Sequence, residues 1–524
     1  MALDRRQFLL ATIATAAVGA CSSDDDDSGA RASSSTTTTE AGPSLASDPF
    51  TLGVASGDPL PGGVILWTRL VMDATEADGA MPTDDVPVAW QVATDAAFES
   101  IAAEGSATAL AALGHSVHVD ADGLDPDTEY HYRFTAGGHT SPVGVTRTFP
   151  ADDASPGRFR FAVATCQDLQ FGRYGAWAHA AADGDFDAVL FMGDYVYELP
   201  PFDVSPEQDG SRMWRVDTAV SVDDFRIRYA QVREDPALQA AHAMAPWIVM
   251  WDDHEVTDNY TGDTSYTDPD PDDLRAARAA AYQVWYEHMP VRLPAPADIT
   301  DGETYPVYRA YRYGDLVDLA TLDSRQYADP TPCRETSSGD RGPGCEERLD
   351  PDRTLLGAEQ FAWLADRLGA STARWSVLGN PVMLSGFDAN AGEGEPEYYL
   401  ESWDGYVAER DRLLALLADV ESPIVLTGDF HASFVLDARD ASGVDVAPEF
   451  LVTGISSLPF DAPTAGNPQV RYAEAGNGYL VCEVTPERWT TEFRHVVDVW
   501  DPASAVDAGP VWTVEHGQRV ATEA

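Results

Sequence analysis

The chain of 524 residues contains no lysine, so all 33 of its basic residues are arginine. These are opposed by 87 aspartate and glutamate residues, and the formal net charge at pH 7 is −54. A surface with so little positive charge repels polyanions, so we expect no nucleic-acid partner, whether bound by sequence or not. The acidity itself is typical of a well-solvated surface and indicates no particular chemistry. No internal repeat is visible.

The N-terminus lacks a run long enough to span a bilayer comfortably, since its apolar stretch reaches only from Leu9 to Ala20. The paired Arg5-Arg6 before this stretch and the small residues before Cys21 resemble a twin-arginine signal with the lipobox of bacterial lipoproteins. A plain secretory peptide is the alternative. In both cases residues 1–21 predict export, either as a secreted protein or as a cell-surface lipoprotein. The only membrane contact we expect is a lipid on Cys21.

The rest of the chain divides by composition. Residues 22–48 are rich in Ser, Thr and Asp and predict a disordered tether. Residues 49–150 show short alternating strands, as in a fibronectin-III-like all-β sandwich. From 158 to 500 apolar strands alternate with helical stretches, which predicts an α/β core, and 501–524 are expected to be a C-terminal tail. The expected helices are Ser221 to Ala243, Asp272 to His288 and Gly357 to Leu368.

Cysteine is scarce, with five residues in the chain. Cys333 and Cys345 lie in a loop rich in proline, glycine and serine, and an exported protein permits them to form a disulfide. Cys482 lies in an apolar stretch and is expected to be a buried thiol. Cys166 differs from these because it follows a predicted core strand.

Four predicted core strands end in residues that bind metals. These residues are Cys166, Asp194 with Tyr197, Asp252-Asp253-His254, and Asp429 with His431. The carboxyl ends of neighbouring strands in an α/β sheet meet at one edge, so we expect these side chains to lie close together. Unpaired carboxylates at such short range would repel each other. A metal cluster is the simplest explanation.

The ligand types narrow the choice of metal. The thiolate of Cys166 and the phenolate of Tyr197 suit a high-valent iron, whereas carboxylates suit hard ions such as calcium or magnesium. A mixed cluster follows as a hypothesis. Such a cluster would turn bound water into hydroxide and clamp a phosphoryl group, while His254 or His431 protonates the leaving alkoxide.

Longer motifs resemble the PhoD-type alkaline phosphatase/phosphodiesterase family. In chain order they are Ala55 to Pro59, Gly193 to Glu198, Trp251 to Glu255, Leu322 to Tyr327 and Gly428 to His431. The resemblance extends from about Phe50 to at least Phe493. It implies a calcineurin-like metallophosphoesterase core of two packed mixed β-sheets flanked by helices, behind a fibronectin-like N-terminal domain. It also implies Fe³⁺ and Ca²⁺ as cofactors.

The resemblance implies roles for individual residues as well. The metal ligands would be Cys166, Asp194, Tyr197, Asp252, Asp253, Asp429 and His431. Cys166 and Tyr197 match iron ligands and Asp194 matches a bridging carboxylate, whereas the choice between Asp252 and Asp253 stays open. The candidate catalytic residues are His254, His431 and Arg325. Arg325 would either contact the substrate phosphate or pair with Asp323.

The predicted function is that of an exported phosphoesterase that hydrolyses phosphomonoesters, phosphodiesters or both, with a small phosphate ester as its partner. A phospholipase D-like phosphodiesterase of the same family is one alternative. A non-catalytic cell-surface binding lipoprotein with a structural metal site is another, although it leaves the phosphoesterase motifs without a purpose. A zinc-dependent phosphatase with a serine nucleophile is disfavoured because no serine lies in a suitable motif.

Overall fold

The computed structural model describes residues 44–265, 270–296, 304–334, 341–392, 394–461 and 464–524. The predicted signal and the predicted tether up to residue 43 lie outside the described residues. The last part of that tether belongs to the fold, because Leu45 is buried and its amide donates to the carbonyl of Gly137 (3.1 Å). In the described ranges, no helix combines the length and the apolar character needed to cross a membrane.

The first part of the described chain forms a β-sandwich. Its strands are β1 (Val54–Leu60), β2 (Gly63–Arg69), β3 (Val86–Ala93), β4 (Ile101–Ala109), β5 (Ser116–Asp122), β6 (Glu129–Ala136), β7 (His139–Thr140) and β8 (Gly144–Arg147). The sheet β4-β3-β6-β7, extended by β8 on β6, faces a sheet that contains β1, β2 and β5. Alternate residues of each strand point inward, so Val64 and Leu66 pack with Val88, Tyr132 and Phe134.

The following residues build the α/β core. Its strands are β9 (Phe159–Ala164), β10 (Ala188–Met192), β11 (Trp247–Met250), β12 (Arg309–Tyr313), β13 (Val317–Thr321), β14 (Arg341–Pro343), β15 (Trp375–Asn380), β16 (Glu397–Tyr399), β17 (Pro423–Thr427), β18 (Ala432–Arg439), β19 (Asp445–Leu451), β20 (Val470–Ala475), β21 (Gly478–Val484), β22 (Arg488–Val496), β23 (Val506–Glu515) and β24 (Thr522–Glu523). Its helices are α1 (Gly175–Asp183), α2 (Val222–Arg233), α3 (Pro236–Met244), α4 (Pro271–His288), α5 (Gly357–Ala370) and α6 (Val407–Ala418).

Two large sheets pack face to face with helices on their outer sides. One runs β24-β23-β22-β21-β9-β10-β11-β1-β2-β5 and the other β12-β13-β15-β17-β19-β18-β20. Phe161 and Val163 share a core with Leu426 of the facing sheet, whereas the intervening Ala162 packs with Trp177 of α1. Helices α5 and α6 cover the second sheet with leucine side chains. These layers confirm the predicted α/β core of two packed mixed β-sheets flanked by helices.

The sandwich and the core share a sheet, although the sequence predicts two separate domains. Strand β1 pairs in parallel with β11, which would otherwise be the open edge strand of the core part of the ten-stranded sheet. Gly57 permits this contact, since a Cβ at that position would lie 2.3 Å from the carbonyl oxygen of Pro290. Asp58 accepts hydrogen bonds from Arg292 N and Tyr311 Oη, both at 2.6 Å. The two predicted domains are therefore joined through one continuous sheet.

The helix expected from Ser221 to Ala243 is divided into α2 and α3. Pro236 has no amide hydrogen to donate to the preceding turn, so a continuous helix is interrupted there. Asp235 instead caps a new helix by accepting from Ala237 N (2.9 Å), with Pro236 at its first position.

The predicted C-terminal tail at 501–524 is also part of the sheet. Strand β23 pairs with β22, and β24 pairs with β23. Alternation along β23 places Trp512 and Val514 in the core between the two sheets. Burial of these apolar side chains explains why the segment is ordered.

The predicted cysteine pairing is confirmed, with a disulfide between Cys333 and Cys345 whose Cα atoms lie 5.8 Å apart. Cys482 is a buried free thiol, as expected. Strand β14, just before Cys345 along the chain, pairs with β16. The disulfide-closed loop therefore supports β16, which carries Tyr399 into the site described next.

Candidate metal centre

The four predicted ligand segments meet at one edge of the packed sheets. Cys166, Asp194, Asp252 and Asp429 each lie two residues beyond the end of a strand, namely β9, β10, β11 and β17. The first three strands are neighbours in the ten-stranded sheet, and β17 lies in the facing sheet. Both layers thus contribute ligands from their carboxyl ends, where α/β sheets bind ligands.

The backbone turns sharply at these positions. Cys166 (φ 52°), Asp194 (φ 59°), Asp429 (φ 66°) and His431 (φ 55°) all adopt the left-handed conformation, which residues other than glycine rarely occupy. Such strain persists only where the surrounding structure enforces it, and it is concentrated at functional sites. Here the strained turns direct the side chains that follow these strands toward one point.

A first group of ligands contains sulfur, oxygen and nitrogen donors. Cys166 Sγ lies 3.3 Å from Asp194 Oδ2, and Tyr197 Oη lies 3.1 Å from the same oxygen. Tyr197 Oη is also 3.4 Å from His431 Nε2. Cys166, Asp194 and His431 offer ligand atoms within 4.8 Å of one another. This is the spacing that a single bound ion requires.

A second group consists of carboxylates. Asp194, Asp252, Asp253 and Asp429 offer oxygens that all lie within 4.8 Å of one another. Asp194 belongs to both groups, so its carboxylate would be available to both ions if two were bound. Oxygen-only ligand sets suit hard cations.

The electrostatics of these groups favour a bound cation. Burial, reinforced by the charge of Asp253, raises the pKa of Asp194 well above its ordinary value. Burial and the charge of Asp194 likewise raise the pKa of the Cys166 thiol and of the Tyr197 phenol. Asp194 Oδ1 and Asp253 Oδ1 are buried and accept no hydrogen bond within the described residues. Such donors fit bound metal ions, which supply the missing positive charge.

Arg325 lies beneath the carboxylates. Its guanidinium is fully buried and binds both oxygens of Asp252, with Nη2 to Oδ2 at 2.9 Å. Nη2 is also 3.4 Å from Asp429 Oδ1 and 3.5 Å from Asp253 Oδ1. Asp323 accepts from the backbone amide of Arg325 (2.9 Å) and from Trp251 Nε1 (2.9 Å) but not from the Arg325 guanidinium, so the side-chain pair with Asp323, one of the two alternatives, is wrong. A buried guanidinium is also badly placed for the other alternative, contact with the substrate phosphate.

The two site histidines have opposite protonation preferences. His431 Nδ1 donates to the carbonyl of Leu458 (3.0 Å), which leaves Nε2 unprotonated in the neutral ring, and burial lowers its pKa to about 4. His254 Nδ1 lies 2.9 Å from Glu198 Oε2. Burial lowers the pKa of His254, but the charges of Asp253 and Glu198 outweigh it and raise that pKa well above its usual value. His431 is thus suited to bind metal and His254 to donate a proton.

Sequence reasoning missed the residues that hold this site in shape. Glu255 accepts from the backbone amides of Asp194 (3.0 Å), Tyr195 (2.8 Å) and Asp252 (2.9 Å) and so ties two ligand segments together. Ser457 lies 2.8 Å from Tyr197 Oη. Glu255 and Glu198 stand inside motifs that the sequence already singles out, and this adjacency was the available signal.

A cavity of about 80 Å³ opens above the ligands. It is lined by Asp194, Asp253, His254, Asp258, Asn259, Tyr399, Glu401, Asp429, Phe430, His431 and Phe460. Asp252, Arg325, Cys166 and Tyr197 do not line it. The cavity thus divides the predicted residues into those that face a substrate and those behind them.

Comparisons with known proteins identify the family to which the chain is similar. The PhoD-like phosphatase family matches residues 161–493, and its N-terminal domain matches residues 34–150. The chain is 39% identical over 492 residues to alkaline phosphatase D of Bacillus subtilis (strain 168), covering 91% of this chain and 83% of that protein. The solved structure of PhoD superposes with a TM-score of 0.86 at 38% identity, covering 92% of this chain and 93% of that one.

A more distant likeness concerns the fold alone. A purple acid phosphatase from yellow lupin (Lupinus luteus) seeds superposes with a TM-score of 0.55 at 12% identity, over 88% of this chain and 74% of that one. Taken together, the layered fold and the cluster of metal ligands define a metal-binding phosphoric ester hydrolase. More specifically, the chain belongs to the PhoD-like phosphatase family. A small phosphate ester is its substrate.

Proposed function

We propose that this phosphoesterase is an exported enzyme that uses Fe³⁺ and Ca²⁺ to hydrolyse phosphomonoesters, phosphodiesters or both. The observation that carries the proposal is the position of Asp194 in both ligand groups, one with a thiol and the other with oxygen donors only. Two different ligand sets that share one carboxylate favour two different ions. Bound ions would supply Lewis acidity and activation of water.

The ligand sets divide between the two ions by donor type. We assign Cys166, Tyr197 and His431 to Fe³⁺, because thiolate and phenolate donors suit a high-valent iron. Asp253 and Asp429 line the cavity and suit Ca²⁺. Asp252 is already paired with Arg325, so Asp253 is the stronger candidate of the two. Asp194 serves both ions.

The chain's own residues provide proton transfer and alignment. His254 lines the cavity and is held by Glu198, so its Nε2–H is available to protonate the leaving alkoxide. Arg325 acts as a positioning residue that fixes Asp252 and Asp429 rather than touching substrate. This role replaces the substrate contact considered from the sequence.

The export part of the proposal rests on residues 1–21, which lie outside the described residues. The disulfide between Cys333 and Cys345 supports it, because such bonds persist outside the reducing cytoplasm. We propose that Cys21 is the lipid attachment site. Mass spectrometry of the membrane fraction would detect the lipidated residue, and a soluble mature protein cleaved elsewhere would contradict it.

The test of the proposed function combines a visible spectrum, elemental analysis and hydrolysis assays with para-nitrophenyl phosphate and its diester, with and without calcium. We expect bound iron, a violet thiolate or phenolate absorption band and calcium-dependent turnover. Cys166→Ala and Tyr197→Phe should remove the band and most of the activity. An active but colourless, iron-free protein would support the phosphoesterase function and refute the assignment of iron to the site. A metal-loaded protein without turnover on either ester would refute the function.

A further inference from the structure

Arg233, the last residue of α2, is a buried cation without a hydrogen-bond acceptor. Its side chain is fully buried, and none of its three guanidinium nitrogens donates a hydrogen bond within the described residues. The guanidinium lies over the ring of Trp67 (4.1 Å from Cζ to the ring centre), a cation–π contact that offers no such acceptor. Other arginines that are as deeply buried do find acceptors, Arg69 and Arg228 at backbone carbonyls and Arg325 at carboxylates.

The groups around Arg233 supply no counter-charge. Burial lowers the pKa of Arg233, and the groups that oppose this shift are the phenols of Tyr195 and Tyr132 rather than a carboxylate. Burial also raises the pKa of both phenols, so they are neutral themselves. A charged group taken out of water at such a place is costly unless an opposite charge accompanies it.

Three further polar atoms at this place lack a partner. Ser56 Oγ of β1, Tyr132 Oη of β6 and His242 Nδ1 of α3 are buried and form no hydrogen bond in the part of the chain that the structure describes. The charge of Arg233 acts on the pKa of Tyr132 and of His242, and Ser56 acts on that of Tyr132. Buried polar groups in folded proteins are rarely unsatisfied, so a group of four indicates that a further species binds among them.

These atoms can all act as donors. Burial and the charge of Arg233 lower the pKa of His242 well below its ordinary value, so its ring is neutral. Tyr195 Oη lies 2.8 Å from His242 Nε2, and when the phenol donates this bond the ring proton is on Nδ1. A guanidinium has donors only, and the hydroxyls of Ser56 and Tyr132 can turn their hydrogens toward the same point. Such a set of donors excludes a cation and suits an anion.

The wider surroundings are also rich in positive charge. Burial lowers the pKa of the neighbouring His288, and three arginines add to this shift, namely Arg69, Arg233 and Arg226. The carboxylate of Glu287 is bound by Arg226, with Nε to Oε2 at 2.7 Å, and so does not neutralise Arg233. This grouping is unusual in a chain with 87 acidic and 33 basic residues. It gives a small anion an attractive environment inside an acidic protein.

We propose that Arg233 holds a buried chloride ion between the sandwich and the core. The further ligands of this ion are the donors that lack partners, namely Ser56, Tyr132 and His242. A single negative charge balances one guanidinium, and complete burial of all four side chains admits only a small ion. Because β1 and β6 belong to the sandwich whereas α2 and α3 belong to the core, the ion stabilises the junction of the two.

The direct test is anomalous diffraction from crystals of the full chain grown in sodium bromide, since bromide replaces chloride and scatters anomalously. We expect a bromide peak in contact with the Arg233 guanidinium. Density for water alone at this position, without an anomalous peak, would overturn the proposal.

Thermal unfolding tests the same site in solution. Sodium chloride is compared with sodium gluconate at constant ionic strength, because a net charge of −54 makes stability depend on ionic strength itself. Gluconate is too large for a buried site. We expect Tm to rise by about 1–3 °C for each tenfold increase in chloride above its dissociation constant. Equal Tm values in the two salts would contradict the proposal.

Variants then attribute the chloride effect to Arg233. Arg233→Met keeps an unbranched side chain but removes the cation, so the difference in Tm between the two salts should disappear. Arg309→Met is the control, because Arg309 pairs with Asp58 (3.4 Å) and donates to the carbonyl of Val249 (2.7 Å). It should lower Tm equally in both salts. A full chloride effect in Arg233→Met would place the anion elsewhere and refute the proposal, and if this variant does not fold, the bromide peak in the unmodified protein decides.

Discussion

Replacing Glu255 by glutamine should weaken the metal centre without any change in a residue that touches metal or substrate. The carboxylate is buried, and its two oxygens together accept three backbone amides. Oε2 serves Asp194 and Asp252, and Oε1 serves Tyr195. A glutamine has one oxygen and one NH₂ group, so at least one of these amides loses its acceptor in either orientation.

The size of the expected effect follows from the number of backbone amides that lose their acceptor. One buried donor left unpaired costs about 1–3 kcal/mol. Above the pKa of Glu255, which burial raises to about 7, the bonds that remain also lose the strength that an ionised acceptor gives them. Two of the amides belong to Asp194 and Asp252, so any shift of the backbone that follows the loss of a hydrogen bond directly moves the ligand segments. Comparable changes around metal ligands reduce metal affinity or activity by about 10- to 100-fold. We expect a loss of calcium affinity in that range, with kcat/KM falling in parallel.

The assay is a calcium titration of hydrolysis together with a measurement of bound metal. Glu409→Gln is the matched control, because Glu409 is also buried, accepts from the amide of Leu356 (3.1 Å) and the hydroxyl of Thr354 (2.7 Å), and does not line the cavity. It should lower stability but not calcium affinity. If both variants lose stability equally and Glu255→Gln keeps full calcium affinity, Glu255 has no role in positioning ligands.

Three further predictions concern pH, metal removal and the disulfide. The negative charge of Glu198 helps to raise the pKa of His254, and protonated His254 is the proposed acid. Activity should therefore fall as pH rises through that pKa. In a pH–rate profile, Glu198→Gln should move this alkaline limb to lower pH. Chelation should lower the unfolding temperature more at pH 8 than at pH 5.5. The raised pKa of Asp194 stabilises the metal-free fold only while the group is protonated, and this contribution is lost as pH rises. An equal loss of unfolding temperature at both pH values would contradict the prediction. The variant carrying both Cys333→Ser and Cys345→Ser should lose about 2–3 kcal/mol of stability in denaturant unfolding. Its β14 and β16 amides should also exchange hydrogen faster. Unchanged exchange would show that the loop does not depend on the disulfide.

The sequence was most informative where local patterns determine the structure. Apolar strands followed by Cys166, Asp194, Asp252 and Asp429 predict a ligand-bearing edge because the ends of adjacent strands must converge, and all four segments do meet. The pairing of Cys333 with Cys345 is a local prediction of the same kind. Both depend on residues whose neighbours along the chain define their chemistry.

Features that depend on contacts between distant segments could not be predicted in this way. Arg325 pairs with Asp252, 73 positions away, although Asp323 is close in sequence. The parallel pairing of β1 with β11, which joins the sandwich to the core, is also a non-local contact. In contrast, the end of α2 was available from the sequence, since Asp235-Pro236 is a start signal for a new helix.

The buried charges explain why the ligands at the strand ends need so many supporting residues. Asp194, Asp252, Asp253 and Asp429 lie within a few ångströms of one another, and Arg325 is the one arginine paired with them among the described residues. Without metal, the fold must hold this repulsion in check through Arg325, through Glu255 on the backbone and through strained turns at the ligands. With metal, the same arrangement is a site whose ligands are already in position. The free energy that the protein loses by assembling these carboxylates is therefore regained when metal binds, which makes folding stability and metal affinity two measures of one property of the site.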